Sequence, residues 1–250
     1  MFRCVFPERM HPRSVLVVPS LTLDGDVLGK ISGAHHYEER MLCLLLLLRM
    51  PNTRVVYVSS EHLSDAIIDY YLHLLPGIPH RQARERLTLL SCHDASSKPL
   101  TAKLLERPRL LTRIESALGD KSLAHMVCFT VTGLERTLAL RLGIPIYGCD
   151  PELLPLGSKS GGRRLMREAG MSIAEGFEDL RDEGDLVDAL VSLKAGQRHL
   201  RRAVVKLNEG FSGEGNAVFS FDNAPSGRAG KNWVRDRLGS HEYPRQIEFV

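Results

Sequence analysis

With 250 residues the chain suits one large or two small globular domains, with ample length to bury a core. Its 43% apolar and 25% charged composition is that of an ordinary soluble protein, and a net charge of +3 falls short of the concentrated basic surface that nucleic-acid binding leaves. The five cysteines (Cys4, Cys43, Cys92, Cys128 and Cys149) are odd in number and form no CxxC pair, which argues against structural zinc and for a reducing, cytoplasmic setting.

The N-terminus carries Arg3, Glu8, Arg9 and Arg13 and no continuous apolar stretch, so no signal peptide is expected. Residues 15–18 are a short apolar run stopping at Pro19-Ser20, the pattern of a strand that leads into a loop. Asp24-Gly25-Asp26 reads as a turn. Residues 36–50 suit a helix. Its leucine run, 44–48, is far short of the roughly 20 apolar residues of a membrane span, and charge bounds it at Glu38, Glu39, Arg40 and Arg49. A buried helix and no membrane contact are expected, with Cys43 and, further on, Cys128 as small core residues. His35, His36, Glu38 and Glu39 are spaced to share a helix face, but two such contacts do not complete a metal site, and a solvated helix start is the plainer reading.

Residues 54–58, β-branched and aromatic, predict a buried strand. Residues 64–75 follow as a helix with Ser64 as its cap and Pro76-Gly77 as its stop. Further along, 87–90 is a strand, 99–118 a helix restarted near Pro108, 124–130 a strand, 133–142 a helix and 144–147 a strand. Cys92-His93-Asp94 holds a nucleophile, a base and a carboxylate, but adjacent residues do not form a triad, whose members meet through the fold. The repeated β-α-β order predicts a parallel sheet with helices on both faces. No GxGxxG follows the first strand, which weighs against a dinucleotide site. Asp150 follows the last of these strands, where open α/β sheets often receive ligands, although a proline-linked turn explains it equally well.

Proline and glycine cluster over 148–156, and the alternation changes beyond. Helices are predicted over 158–169 and 182–194, strands over 203–207 and 216–221, a loop over 225–230, a short helix over 233–238 and a strand start over 246–250. Arg198, Arg201 and Arg202 read as a solvated helix face. Two segments here bear on chemistry. In LGSKSGGRRLMREAGM (156–171) Ser158 caps a helix, Lys159 opens it and Gly170 ends it. It is not a Walker loop, which has glycine directly before Lys-Ser/Thr; alone it is an ordinary basic surface helix. In AVVKLNEGFSGEGNAVF (203–219) a strand delivers Lys206, a glycine-rich turn follows, and a second strand leads away. Glycines lack the Cβ that keeps backbone N–H groups from phosphate oxygens, and a lysine at a strand end is a fixed cation. Most glycine-rich hairpin loops nonetheless bind nothing.

A lysine opening a helix that ends in AGM, then a strand VVK and a glycine-rich hairpin, resembles the ATP-grasp superfamily. Together with HYEERMLCLLLLLR, IIDYYLHLLPGIP and GIPIYGCDPELL, the two segments resemble peptide ligases of the pheganomycin-biosynthesis type, over about residues 14–221. The resemblance implies an α/β fold: a parallel Rossmann-like pre-ATP-grasp domain over 13–150, then a partial α+β ATP-grasp subdomain over 151–250. It implies ATP as ligand, with Lys159 and Lys206 on the phosphates. Glu209, Gly210, Phe211, Ser212, Gly213, Glu214 and Gly215 match the loop that closes over them, through backbone groups, since both glutamates repel phosphate. The activity implied is that of a carboxylate–amine ligase, which makes an amide through an acyl phosphate from amino-acid or peptide substrates. The adenine hinge, the magnesium carboxylates and a stabilising arginine belong to the second half of an ATP-grasp module. They are expected beyond Val250, so the chain looks like the front portion of a longer ligase. The alternative is a truncated nucleotide-binding or interaction module without catalysis. No catalytic residue is assigned, and a homo-oligomer is left open.

Overall fold

The computed structural model describes residues 10–23, 28–29, 31, 33–208, 215–225 and 230–239. The chain divides into two compact units, Met1–Pro151 and Glu152–Val250.

In the first unit β1 (Arg13–Val18), β2 (Thr53–Ser59), β3 (Leu87–Ser91), β4 (Ala124–Cys128) and β5 (Ile146–Tyr147) form a parallel sheet in the order β3-β2-β1-β4-β5. A 3₁₀ helix (Ala34–Arg49) joins β1 to β2, and α1 (Asp65–His73) and α2 (His80–Glu85) join β2 to β3. Between β3 and β4 come α3 (Leu100–Leu105) and α4 (Pro108–Leu118), and α5 (Gly133–Leu142) precedes β5. Side chains alternate across the central strand. Leu16 and Val18 pack with Leu104, Ile114 and Leu138 from α3, α4 and α5. Val15 and Val17 pack with Leu45 of the 3₁₀ helix and Ile68 and Ala83 of α1 and α2. Both faces are covered, which is why the strand reads as an unbroken apolar run. This is the predicted Rossmann-like α/β architecture.

Five local results differ from expectation or add to it. The helix of residues 34–49 has a three-residue repeat: Leu42, Leu45 and Leu48 are buried, while Cys43, Leu46 and Arg49 are exposed. A 3₁₀ helix has three residues per turn, so every third residue stacks on one line, and the leucine run satisfies that line. Cys43 falls on the solvent line and is not a core residue; Cys128, half-buried, does pack on the core. The end of this helix is held by Arg86, which donates to the carbonyls of Leu48, Met50 and Thr53. Helix α2 was not predicted, because HRQARE buries only Ala83 and shows no apolar period. Ser64 stands at the cap position of α1 but makes no side-chain bond there.

The second unit contains α6 (Leu154–Gly157), α7 (Lys159–Glu168), α8 (Glu183–Gly196), an antiparallel hairpin of β6 (Arg202–Lys206) and β7 (Asn216–Ser220), and α9 (Lys231–Gly239). Ala203 and Phe219 turn one hairpin face onto Leu186, Val187 and Leu190 of α8 and Val234 of α9. Arg202, Val204, Lys206 and Val218 lie exposed. The arginines expected on a helix face do not lie on one: α8 stops at Gly196, Arg198 and Arg201 lie in the connection, and Arg202 opens β6. That connection is fixed by Lys194, a buried residue whose ammonium donates to the carbonyls of Arg198 and Leu200. The expected turn at residues 24–26, most of the 225–230 loop and the strand start at 246–250 lie outside the described residues.

Candidate functional site

The second unit has a seam where the start of α7 meets the end of β6. Ser158 is extended, and its Oγ accepts the Gly161 N–H at 3.0 Å, the cap that the sequence predicted. Asn208 occupies the two amides before it. The Lys159 N–H donates to the Asn208 carbonyl at 3.2 Å, and the Ser160 N–H to Asn208 Oδ1 at 2.9 Å. All three first-turn amides of α7 therefore have partners. Gly161 closes the other side: a Cβ there would lie 2.0 Å from the Pro155 carbonyl oxygen of α6.

Lys159 is the first residue of α7, and the first turn has no acidic residue. A cation at the positive end of a helix is locally unfavourable, by about 0.3–1 kcal/mol. Since the first-turn amides are taken, the positive charge this helix start offers is that of Lys159 itself.

Lys206 ends β6, in register with Asn216. Just past it, the Leu207 N–H donates to the Gly215 carbonyl at 2.8 Å and closes the hairpin loop. Gly215 has φ +72°, and a Cβ on it would meet the Leu207 side chain at 2.5 Å, so the position demands glycine. Lys206 is two residues from Asn208, at most about 7 Å of extended chain. The backbones at 159 and 206 thus border one seam. Among the described residues neither lysine has an ion-pair partner. On the same exposed face Val204 and Val218 pair across the hairpin, 56% and 55% exposed. Glu209, Gly210, Phe211, Ser212, Gly213 and Glu214 lie outside the described residues.

Further along α7, Arg163 Nε and Arg167 Nη2 both donate to Glu178 Oε1, and Arg163 Nη2 also donates to the Ala174 carbonyl. The Arg163 bond, with Arg167 beside it, holds the Glu178 carboxyl below the usual carboxylate range. The Asp179 N–H reaches Ser160 Oγ at 3.4 Å, which ties the irregular segment after α7 to its first turn. A cavity of about 320 Å³ opens beside these arginines, lined also by Phe177 and Leu193, but Glu178 already partners both cations.

In the first unit the polar groups at the carboxyl ends of the strands bond to one another. Glu38, expected at a solvated helix start, is instead buried, and its carboxylate accepts the Ser60 N–H and, at 2.6 Å, the Ser60 hydroxyl. Burial pushes its pKa up. Lys103, 1% exposed, donates to Ser60 Oγ and to the Asp94 carbonyl, and Arg107 pairs with the Asp94 carboxylate at 2.6 Å. Buried Glu135 accepts from the Thr22 and Thr132 hydroxyls and the Thr132 N–H, a capping box that occupies the start of α5. Cys92-His93-Asp94 forms no triad: burial lifts the Cys92 thiol to about 11, and Asp94 is committed to Arg107. Asp150 lies exposed in the irregular connection between β5 and α6. Among the described residues no three His, Cys, Asp or Glu side chains gather as a metal site. No helix among them is long and apolar enough to cross a membrane.

Asn208 and the buried Glu38–Ser60–Lys103 group were not singled out from sequence. The signal for Asn208 is its place: a side chain with its own carbonyl, directly after the strand and before the glycines, offers two acceptors to one helix end.

The model of the IQCH-like ATP-grasp domain matches residues 153–231, which include the seam and both strands of the hairpin. An L-propargylglycine–L-glutamate ligase of Streptantibioticus cattleyicolor is 32% identical over 212 residues, covering 80% of this chain and 44% of the ligase. An IQ motif-containing protein H of Danio rerio is 27% identical over 250 residues, covering 94% of this chain and 23% of that protein. The chain thus spans less than half the length of either relative. No solved structure matches. The helix-borne lysine, the strand-borne lysine and the glycine-closed hairpin fall within the matched region: residues 153–231 form an ATP-grasp domain of the IQCH-like type, in a chain similar to a ligase.

Proposed function

We propose that the chain provides the phosphate-gripping side of an ATP site in an ATP-dependent carboxylate–amine ligase. Residues 13–150 serve as its pre-ATP-grasp domain and 151–250 as the ATP-grasp portion. The observation that carries this reading is the seam: Lys159 is bonded through its backbone to Asn208, two residues past Lys206, and neither lysine has an ion-pair partner among the described residues. Lys159 and Lys206 offset the charge of one triphosphate from two sides. The apolar Val204–Val218 pair beside Lys206 gives a purine a surface to lie on. The loop of Glu209, Gly210, Phe211, Ser212, Gly213, Glu214 and Gly215 contributes backbone N–H groups to the β- and γ-phosphates and excludes water.

In the reaction proposed, a carboxylate oxygen attacks the γ-phosphorus and ADP leaves. An amine then attacks the acyl carbon, phosphate leaves, and the amine proton passes to solvent or a base. Magnesium bound with ATP supplies further charge neutralisation. The substrates are an amino acid or peptide carboxylate and an amino-acid amine, in a cytoplasmic setting.

A second reading is nucleotide binding without turnover, favoured by the match of residues 153–231 to the IQCH-like form of the domain. Calorimetric titration with ATP and magnesium, followed by an ADP-release assay with amino-acid mixtures, separates the two. The ligase reading expects binding and amine-dependent ADP release; binding without release selects the second reading. A chain that binds no ATP overturns both.

A further inference from the structure

Resting on the nucleotide-site reading above, we infer that Asn208 is a positioning residue that sets Lys159 against Lys206. It holds consecutive amides of α7 with two different acceptors, its carbonyl on Lys159 and its side-chain Oδ1 on Ser160. One bond would fix a distance and leave the helix free to pivot. Two bonds to neighbouring amides fix its direction as well. The attachment lies at the residue where direction matters, because Lys159 is itself one of the two donors.

The rest of the seam makes this attachment stiff. Ser160 is a buried residue, so its N–H has little access to water in place of Oδ1. On the other side Gly161 sits against the Pro155 carbonyl, with no room for a Cβ. Ser158 Oγ donates to the same Pro155 carbonyl while accepting from Gly161. Helix α7 is therefore seated on α6 and aimed by Asn208. Lys206 needs no such help: its strand is held by the β6–β7 ladder and by the Leu207–Gly215 closing bond.

The test is a double-mutant cycle on ATP affinity, using the 250-residue chain and the variants Asn208→Ala, Lys159→Met and both together. Asn208→Ala is expected to weaken ATP binding about five- to twenty-fold in the native background and less than two-fold when Lys159 is already methionine, because the only effect of the seam on the ligand passes through Lys159. Equal losses in both backgrounds, or no loss in either, overturn the inference. Hydrogen exchange at the Ser160 amide is read on the same samples. It is expected to speed up more than ten-fold in Asn208→Ala and to stay slow in Asn208→Asp, which keeps the acceptor oxygen; unchanged protection in Asn208→Ala overturns the attachment itself. If Asn208→Ala does not fold, Asn208→Ser, too short to reach Ser160, takes its place in the cycle. A native chain that binds no ATP removes the site reading and this inference together, whereas Lys206-dependent binding that ignores Asn208 removes this inference alone.

Discussion

Val15 and Val17 in the first unit are wholly buried, while Val204 and Val218 in the second are more than half exposed. All four are strand valines with the same intrinsic preferences. The first pair lies in a five-stranded sheet with helices on both faces, and the second lies in a two-stranded hairpin packed on one face only. Charge follows the same division. In the first unit Glu38, Lys103 and Glu135 are buried and bonded to Ser60, Asp94, Thr22 and Thr132. In the second unit Lys159 and Lys206 border a seam without ion-pair partners among the described residues. The buried charged groups of the first unit are bonded within it, whereas in the second Lys206 lies exposed beside Val204 and Val218. On the function proposed above, the first unit is the scaffold and this face of the second receives the nucleotide.

The contrast can be broken at several points. The largest effects belong in the first unit. Lys103→Met removes the cation near buried Glu38 and leaves the Ser60 and Asp94 acceptors without it, with an expected cost of about 3–5 kcal/mol in urea unfolding. Leu16→Ala empties a fully buried site in the central strand and is expected to cost about 2–5 kcal/mol. An unfolding midpoint unchanged by Lys103→Met would mean that the buried group is not structural.

The pH response comes next and has a different source in each unit. Burial, with Arg13 adding a smaller push, lowers the His125 pKa to about 4. The folded state therefore favours the neutral ring, and stability is complete above the ordinary histidine value of about 6.5 and lost as pH falls from there toward 4. Between pH 7 and 5 the first unit is expected to lose on the order of 2 kcal/mol, and His125→Gln is expected to flatten that slope. Glu38, whose pKa burial raises, works the other way, losing stability as pH rises from its unfolded value through its folded one, so the variant is needed to isolate the histidine. In the second unit Glu178 is held low by Arg163 and Arg167, and its contribution is lost only in acid, as pH falls from the ordinary glutamate range through its depressed folded value. A native chain with no slope between pH 7 and 5, matched by His125→Gln, would contradict the assignment.

The smallest effect on folding is expected at the open hairpin face. Val218→Asp changes an exposed position and should shift stability by less than about 0.5 kcal/mol. On the proposed site it places a carboxylate beside Lys206, and ATP affinity is expected to fall more than ten-fold. Unchanged affinity would remove the hairpin face from the site.

Much of this division was legible in the sequence, for physical reasons that differ between the units. Continuous apolar runs at 15–18 and 54–58 mark strands covered on both faces, and β-α-β order fixes a parallel sheet. Lys206 before a glycine turn and Lys159 after Ser158 are local signals, and local chemistry places them at a strand end and a helix start. What stayed hidden depends on contacts distant in sequence. Glu38 looks like a charged helix start because Ser60 and Lys103, its partners, lie 22 and 65 positions away. Cys43 sits in an apolar run, yet a three-residue period rather than 3.6 turns it to solvent. Asn208 acts on a helix start some 50 residues earlier, so nothing beside it in the chain announces its role.

The central claim concerns one polyphosphate between two lysines, and a crystal structure of the chain with a non-hydrolysable ATP analogue and magnesium tests it most directly. The account predicts both ammonium nitrogens, of Lys159 and Lys206, within about 3 Å of oxygens on the same triphosphate, with the purine against Val204 and Val218. A triphosphate bound at the carboxyl ends of β1 and β4, or one that meets neither lysine, would contradict it.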